Sequence, residues 1–112
     1  MEVTPKNIDY YRTADGRAPY REWYNSLNDI KAKAAIAERL TRVERGLFGD
    51  YRTLGDGVSE LKVDFGPGYR VYFGQEGRTL VWLLCGGRKN TQKKDIKTAK
   101  VYWQDYLRRH GQ

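Results

Sequence analysis

One cysteine, Cys85, and one histidine, His110, are all that this 112-residue chain holds of the residues that most often cross-link chains or bind soft metals. An internal disulfide framework is therefore excluded, and so is a thiolate or imidazole set for zinc, which leaves a reducing cytoplasm as the expected location. Long apolar runs are also missing. The longest, residues 80–85, is far short of the roughly 20 residues a membrane-spanning helix needs, and the stretch MEVTPKNIDYYR has no signal-peptide core, so a protein without membrane association is expected. Neither a GxGxxG nor a Walker A pattern occurs, so the doublet Gly86-Gly87 reads as a tight exit from a strand rather than a phosphate cradle. With only three prolines, no repeat and no polar linker, residues 1–112 read as one domain.

What the chain does carry is positive charge and tyrosine. Twenty-one Lys and Arg against fourteen Asp and Glu give a net +7, which points to a polyanionic partner. Nine tyrosines and three tryptophans are enough aromatic mass for a core, so the composition is that of a folded chain.

Periodicity divides the sequence. Residues 7–12 (NIDYYR) alternate as a first strand. Pro19 suits the first position of a helix in which Tyr20, Trp23, Tyr24 and Leu27 share a face. Asn28 or Asp29 caps a second helix whose apolar stripe is Ile30, Ala34, Ala37, Leu40, Val43 and Leu47, with Arg39 outward. After a loop over 50–57, strands over 58–65, 69–74 and 79–86 form an antiparallel meander, the last apolar on both faces. Asn90 or Thr91 then caps a final helix reaching about Arg109, with Ile96, Ala99, Trp103 and Tyr106 inward. The order β-α-α-β-β-β-α predicts a small α+β domain, a twisted and mainly antiparallel sheet with helices packed on one face and the other face partly open.

On that open face a constellation is expected. Strand alternation puts Leu61, Val63, Tyr69, Val71 and Phe73 toward the core and sends Lys62, Arg70 and Tyr72 the other way. Arg88 and Lys89, just past the glycine doublet, and Lys93 and Lys94, in the first helical turn, are expected to rim the same face. Such a surface suits RNA, because guanidinium forks match phosphate oxygens and aromatic rings stack on unpaired bases. It suits an acidic protein as well, and isolated cations on an exposed face are often only solvated. Metal-free cleavage of RNA is within its chemistry: the 2′-hydroxyl attacks phosphorus if one group takes its proton and another neutralises the phosphorane. Cys85 reads as an inert core thiol, and His110 as a surface residue near a fraying end.

The run ELKVDFGPGYRVYF, followed by LVWLLCGGRKNTQKKDIKTAKVYWQDYL, resembles the HigB-type, phage-related addiction module killer branch of the RelE/ParE toxin superfamily. The resemblance extends over nearly the whole chain, and its most specific parts are GPGYRVY and L-L-x-G-G-x-K-x-x-Q-x-x-D-I-x-x-A. It implies a RelE-like domain and the toxin half of a type II toxin–antitoxin system: an mRNA interferase, that is, a metal- and cofactor-independent endoribonuclease acting in the ribosomal A site to inhibit translation and arrest growth. The implied partner is a cognate helix-turn-helix, HigA-like antitoxin, through which alone operator DNA is met. By position, Arg70 corresponds to the arginine that holds the scissile phosphate and Lys62 to a strand lysine of acid-base or charge-stabilising function. Lys89 and Arg88 fall where relatives present further cations, and Lys93 and Lys94 where ribosome or RNA backbone is contacted. The chain departs from RelE, which has a tyrosine near its C-terminus, and from HigB toxins with catalytic histidines. The general base is open among Tyr72, Lys62 and Lys89. Two other activities fit the same superfamily, a ParE-like gyrase poison and an inactive antitoxin-binding homologue.

Overall fold

Turn chemistry sets the frame. A computed structural model of the chain describes residues 3–111. Strand β1 (Asn7–Tyr10) leads to helices α1 (Pro19–Ser26) and α2 (Ile30–Glu44), then to β2 (Tyr51–Gly55), β3 (Val58–Val63), β4 (Tyr69–Glu76) and β5 (Leu80–Arg88), and helix α3 (Gln92–Arg109) follows a single 3-10 turn. Pro19 opens α1, and Asp29 caps α2 by accepting from the backbone N–H of Lys31 and Ala32 at 3.0 and 3.1 Å.

The strands form one five-stranded mixed sheet in the order β1-β5-β4-β3-β2, with β1 parallel to β5 and every other pair antiparallel. The segment expected as a loop is largely strand β2. Asp56 and Gly57, at φ 57° and 81°, make the tight left-handed turn that folds β2 back on β3. Around the next turn Gly66 and Gly68 also take positive φ, and the resulting register sets Lys62 directly opposite Arg70.

Helices cover both faces, which corrects the expectation of one open face. On the first face α1 and α2 pack on Leu61, Val63, Val71, Phe73, Val81 and Leu83. On the second, Ala99, Trp103 and Tyr106 of α3 pack on Val58, Tyr72 and Leu84. A strand such as β5, apolar on both sides, requires two covers. The glycine doublet is what lets the covers come close: a Cβ on Gly86 would strike the Trp23 ring of α1, and one on Gly87 would strike the Asp95 carboxylate of α3.

The buried stripe of α2 is Ala32, Ile36, Arg39 and Val43, rotated from the one expected, while Ile30 is 81% exposed. Arg39 accounts for the rotation. Its Nε and Nη2 donate to the carbonyls of Lys62 and Asp50 at 3.1 and 3.0 Å, which ties a charged residue inward although its Nη1 is buried without a partner. Among the described residues no helix is long and apolar enough to cross a membrane.

Candidate nucleic-acid interface

Two cross-strand rows build the site on the α3 face. Arg52, Glu60, Tyr72 and Cys85 stand opposite one another across β2, β3, β4 and β5, and Lys62, Arg70 and Gly87 make the next row. Two cations facing each other across strands repel, so Lys62 opposite Arg70 needs compensation. Glu60 supplies it. Its carboxylate, 4% exposed, accepts from Arg52 Nε at 3.0 Å and from Gln92 Nε2 at 2.6 Å, and lies 3.6 Å from Arg70 Nε. The resulting cleft holds about 310 Å³ and is lined by Asp50, Tyr51, Arg52, Glu60, Lys62, Arg70 and Gln92.

Arg70 is 6% exposed, and its position differs from the open one expected. Nη1 donates to the Tyr69 carbonyl at 3.2 Å, but Nε is buried without a hydrogen-bond partner, since 3.6 Å to Glu60 is an ion-pair distance and not a bond. A guanidinium carries five donors. Here donor capacity is left over beside an opening.

The Lys62 side chain is half-exposed, its ammonium 3.9 Å from Asp50. Tyr72, expected on an open face and as a possible base, is instead completely enclosed beneath α3, its hydroxyl lacking a well-placed partner. Burial, reinforced by the Glu60 charge, raises its pKa, so the phenol keeps its proton and is unsuited to take one. Arg88 is also relocated. It pairs with Tyr69 while Gly87 pairs with Arg70, so alternation turns Arg88 to the α1 face, its Cζ 6.0 Å from the Tyr69 ring centroid. Lys89 does not line the cleft but lies near Arg70, its N–H donating to the Gly68 carbonyl at 3.0 Å beside the start of β4. Lys93 and Lys94 are exposed on the first turn of α3.

Burial likewise pushes the Cys85 thiol up to about 12, consistent with an inert core group. No three His, Cys, Asp or Glu side chains cluster for a metal among the described residues.

Glu60, Arg52 and Gln92 were not among the residues expected at the site. Glu60 shares the strand parity of Lys62, and Gln92 is the glutamine of the L-L-x-G-G-x-K-x-x-Q motif, so both signals lay in the sequence. The motif's aspartate, Asp95, accepts from the Thr91 hydroxyl at 2.5 Å and seats the helix against Gly87.

No family model matches the chain. It is 46% identical over 86 residues to an uncharacterized protein of Haemophilus influenzae, an alignment covering 77% of this chain and 87% of that protein.

Proposed function

The chain belongs to one family with the Haemophilus influenzae protein, and on that premise we propose that it is a RelE/HigB-like toxin of a type II toxin–antitoxin pair, an endoribonuclease that cuts messenger RNA at the cleft between β2, β4 and α3. The observation that carries this reading is Arg70: a guanidinium at the wall of a cleft, with its Nε unspent, in a row with Lys62. A phosphate entering the cleft offers that donor an acceptor it lacks within the protein.

The chemistry follows from the groups present. The 2′-oxygen attacks the adjacent phosphorus and the bond from phosphorus to the 5′-oxygen breaks, leaving a 2′,3′-cyclic phosphate and a 5′-hydroxyl. Glu60, at the floor of the cleft, takes the 2′ proton in place of Tyr72, and the Lys62 ammonium returns one to the departing 5′-oxygen. Arg70 neutralises the charge gathering on the equatorial oxygens. Lys89, Lys93 and Lys94 then meet the ribosome or the RNA backbone, and a helix-turn-helix antitoxin covers the basic face and carries the toxin to operator DNA.

The test is induction of the chain without its antitoxin, followed by primer extension on cellular mRNA. Discrete new 5′ ends and growth arrest are expected, and both disappear in Arg70→Ala, with circular dichroism unchanged. Relaxed or linearised plasmid, an SOS response and intact message would replace this reading with gyrase poisoning. Intact message without arrest would leave an antitoxin-binding protein that does no chemistry.

A further inference from the structure

Around the end of the sheet from Arg70 lies a second opening, on the α1 face. It holds about 500 Å³, within the roughly 300–1,000 Å³ typical of small-ligand sites, and its walls include Trp23, Asp29, Pro67, Tyr69 and Arg88. Trp23 is half-buried and fixed: its ring lies on the bare backbone of Gly86 and meets Tyr69 edge-on, at 6.3 Å between centroids and 62° between planes. Arg88 is exposed, yet anchored over the buried Tyr69 ring at 6.0 Å. A held indole beside a held guanidinium offers one planar face and one phosphate fork.

This opening extends toward Arg70. A neighbouring groove of about 420 Å³ shares Pro67 and Arg88 with this pocket and adds Lys89 and Asn90. Lys89 and Arg70 in turn flank Gly68: a Cβ there would lie 3.7 Å from Lys89 Cβ and 3.5 Å from Arg70 Nη1. Cations thus follow one another from Arg70 to Lys89 to Arg88, and an indole stands where the line ends. A linear polyanion carrying planar groups matches that order. An acidic peptide matches it less well, because its carboxylates would approach Asp29 and leave Trp23 without a planar partner. Asp29 spends one oxygen on capping α2 and can accept from the N–H edge of a base.

We propose that this pocket binds an unpaired base of single-stranded RNA, stacked on Trp23 with its phosphate on Arg88, as a flanking subsite of the strand whose scissile phosphate sits at Arg70. The strand's course toward Arg70 rests on the nuclease reading; the base site does not require cleavage.

The probe is a labelled 2′-O-methyl RNA hexamer, which lacks the attacking hydroxyl, followed by fluorescence anisotropy and by tryptophan quenching on the full chain. Binding is expected to weaken about 5- to 150-fold in Trp23→Leu, the range for loss of one base–aromatic stack, and about tenfold or more in Arg88→Ala, which loses charged hydrogen bonds to phosphate. Arg88→Lys should recover only part of it, since an ammonium lacks the fork. A hexamer with abasic sites should bind the unaltered chain as weakly as the intact hexamer binds Trp23→Leu. Equal binding of intact and abasic hexamers, or of Arg88→Ala and the unaltered chain, would overturn the proposal even if Trp23→Leu fails to fold. A glutamate-rich hexapeptide that outcompetes the RNA would overturn it in favour of an acidic protein. Binding here with cellular mRNA left intact on induction would sink the nuclease reading alone, and mRNA cleavage indifferent to Trp23 and Arg88 would sink the subsite alone.

Discussion

On the α2 side of the sheet Arg39 is enclosed and answers to two backbone carbonyls; on the α3 side Arg70 is enclosed and answers mainly to one carboxylate at 3.6 Å. The first arrangement ties a helix to β3 and to the start of β2 with fixed geometry, and burial, helped by the nearby Arg42 charge and opposed by Asp50, pulls the pKa of Arg39 down. The second leaves Nε unbonded beside a cleft and balances charge against charge. The same residue type thus serves as a clamp on one face and as a poised donor on the other. What separates them is the acceptor. Each leaves one buried nitrogen unbonded, Nη1 in Arg39 and Nε in Arg70, but Arg39 is held by carbonyls of two other segments, whereas Arg70 is balanced by the charge of a carboxylate that Arg52 and Gln92 also hold.

Substitutions can break this contrast. The largest effect is expected for Glu60→Ala, which strands Arg70 as a buried charge without its counter-ion. Urea unfolding should show a loss of about 3–5 kcal/mol. A loss under about 1 kcal/mol would mean that Arg70 swings freely into water and is not balanced by Glu60. Next comes Arg39→Met, which leaves the Lys62 and Asp50 carbonyls without their donors and should cost about 2–4 kcal/mol. RNA cleavage by the fraction still folded should be unchanged, and a specific loss of cleavage would erase the distinction between clamp and site.

Arg70→Met should behave the opposite way. Because Glu60 retains Arg52 and Gln92, stability should fall by only about 1–2 kcal/mol, while cleavage falls at least about 100-fold. The smallest effect sharpens the α3 side alone. Cys85 has its pKa raised in the fold from 9.0 to about 12, so its contribution to stability is full below pH 9 and is lost as pH rises from 9 to 12, where the unfolded chain releases the proton first. Cys85→Ala should therefore flatten the alkaline decline in melting temperature, and the native thiol should resist iodoacetamide at pH 8.

Much of the framework was legible along the chain because strand periodicity and turn chemistry are local. Pro19, Asp29 and the Gly66-Pro67-Gly68 turn all act within a few residues, and they start, cap and turn the chain where expected. Strand β2 was hidden because Tyr51, Arg52, Thr53 and Leu54 lie mostly exposed at a sheet edge and show no apolar alternation. The phase of α2 was hidden because an arginine occupies an inward position, and only the carbonyls of another element make that position tolerable. Tyr72 was placed on the correct face, but that face carries a helix.

Sequence by itself determined that Lys62 and Arg70 share a face and a row, since a two-residue period and a short glycine turn admit little else. It determined the closeness of α1 and α3 to the sheet at Gly86 and Gly87 as well, where the absence of side chains is a property of the chain. Only the tertiary structure decided that α3 would roof that face, that Glu60 would meet Arg70 under it, and that Arg88 would turn away toward Trp23. Burial and charge pairing arise between segments distant along the chain, and no local pattern encodes which helix crosses which strand.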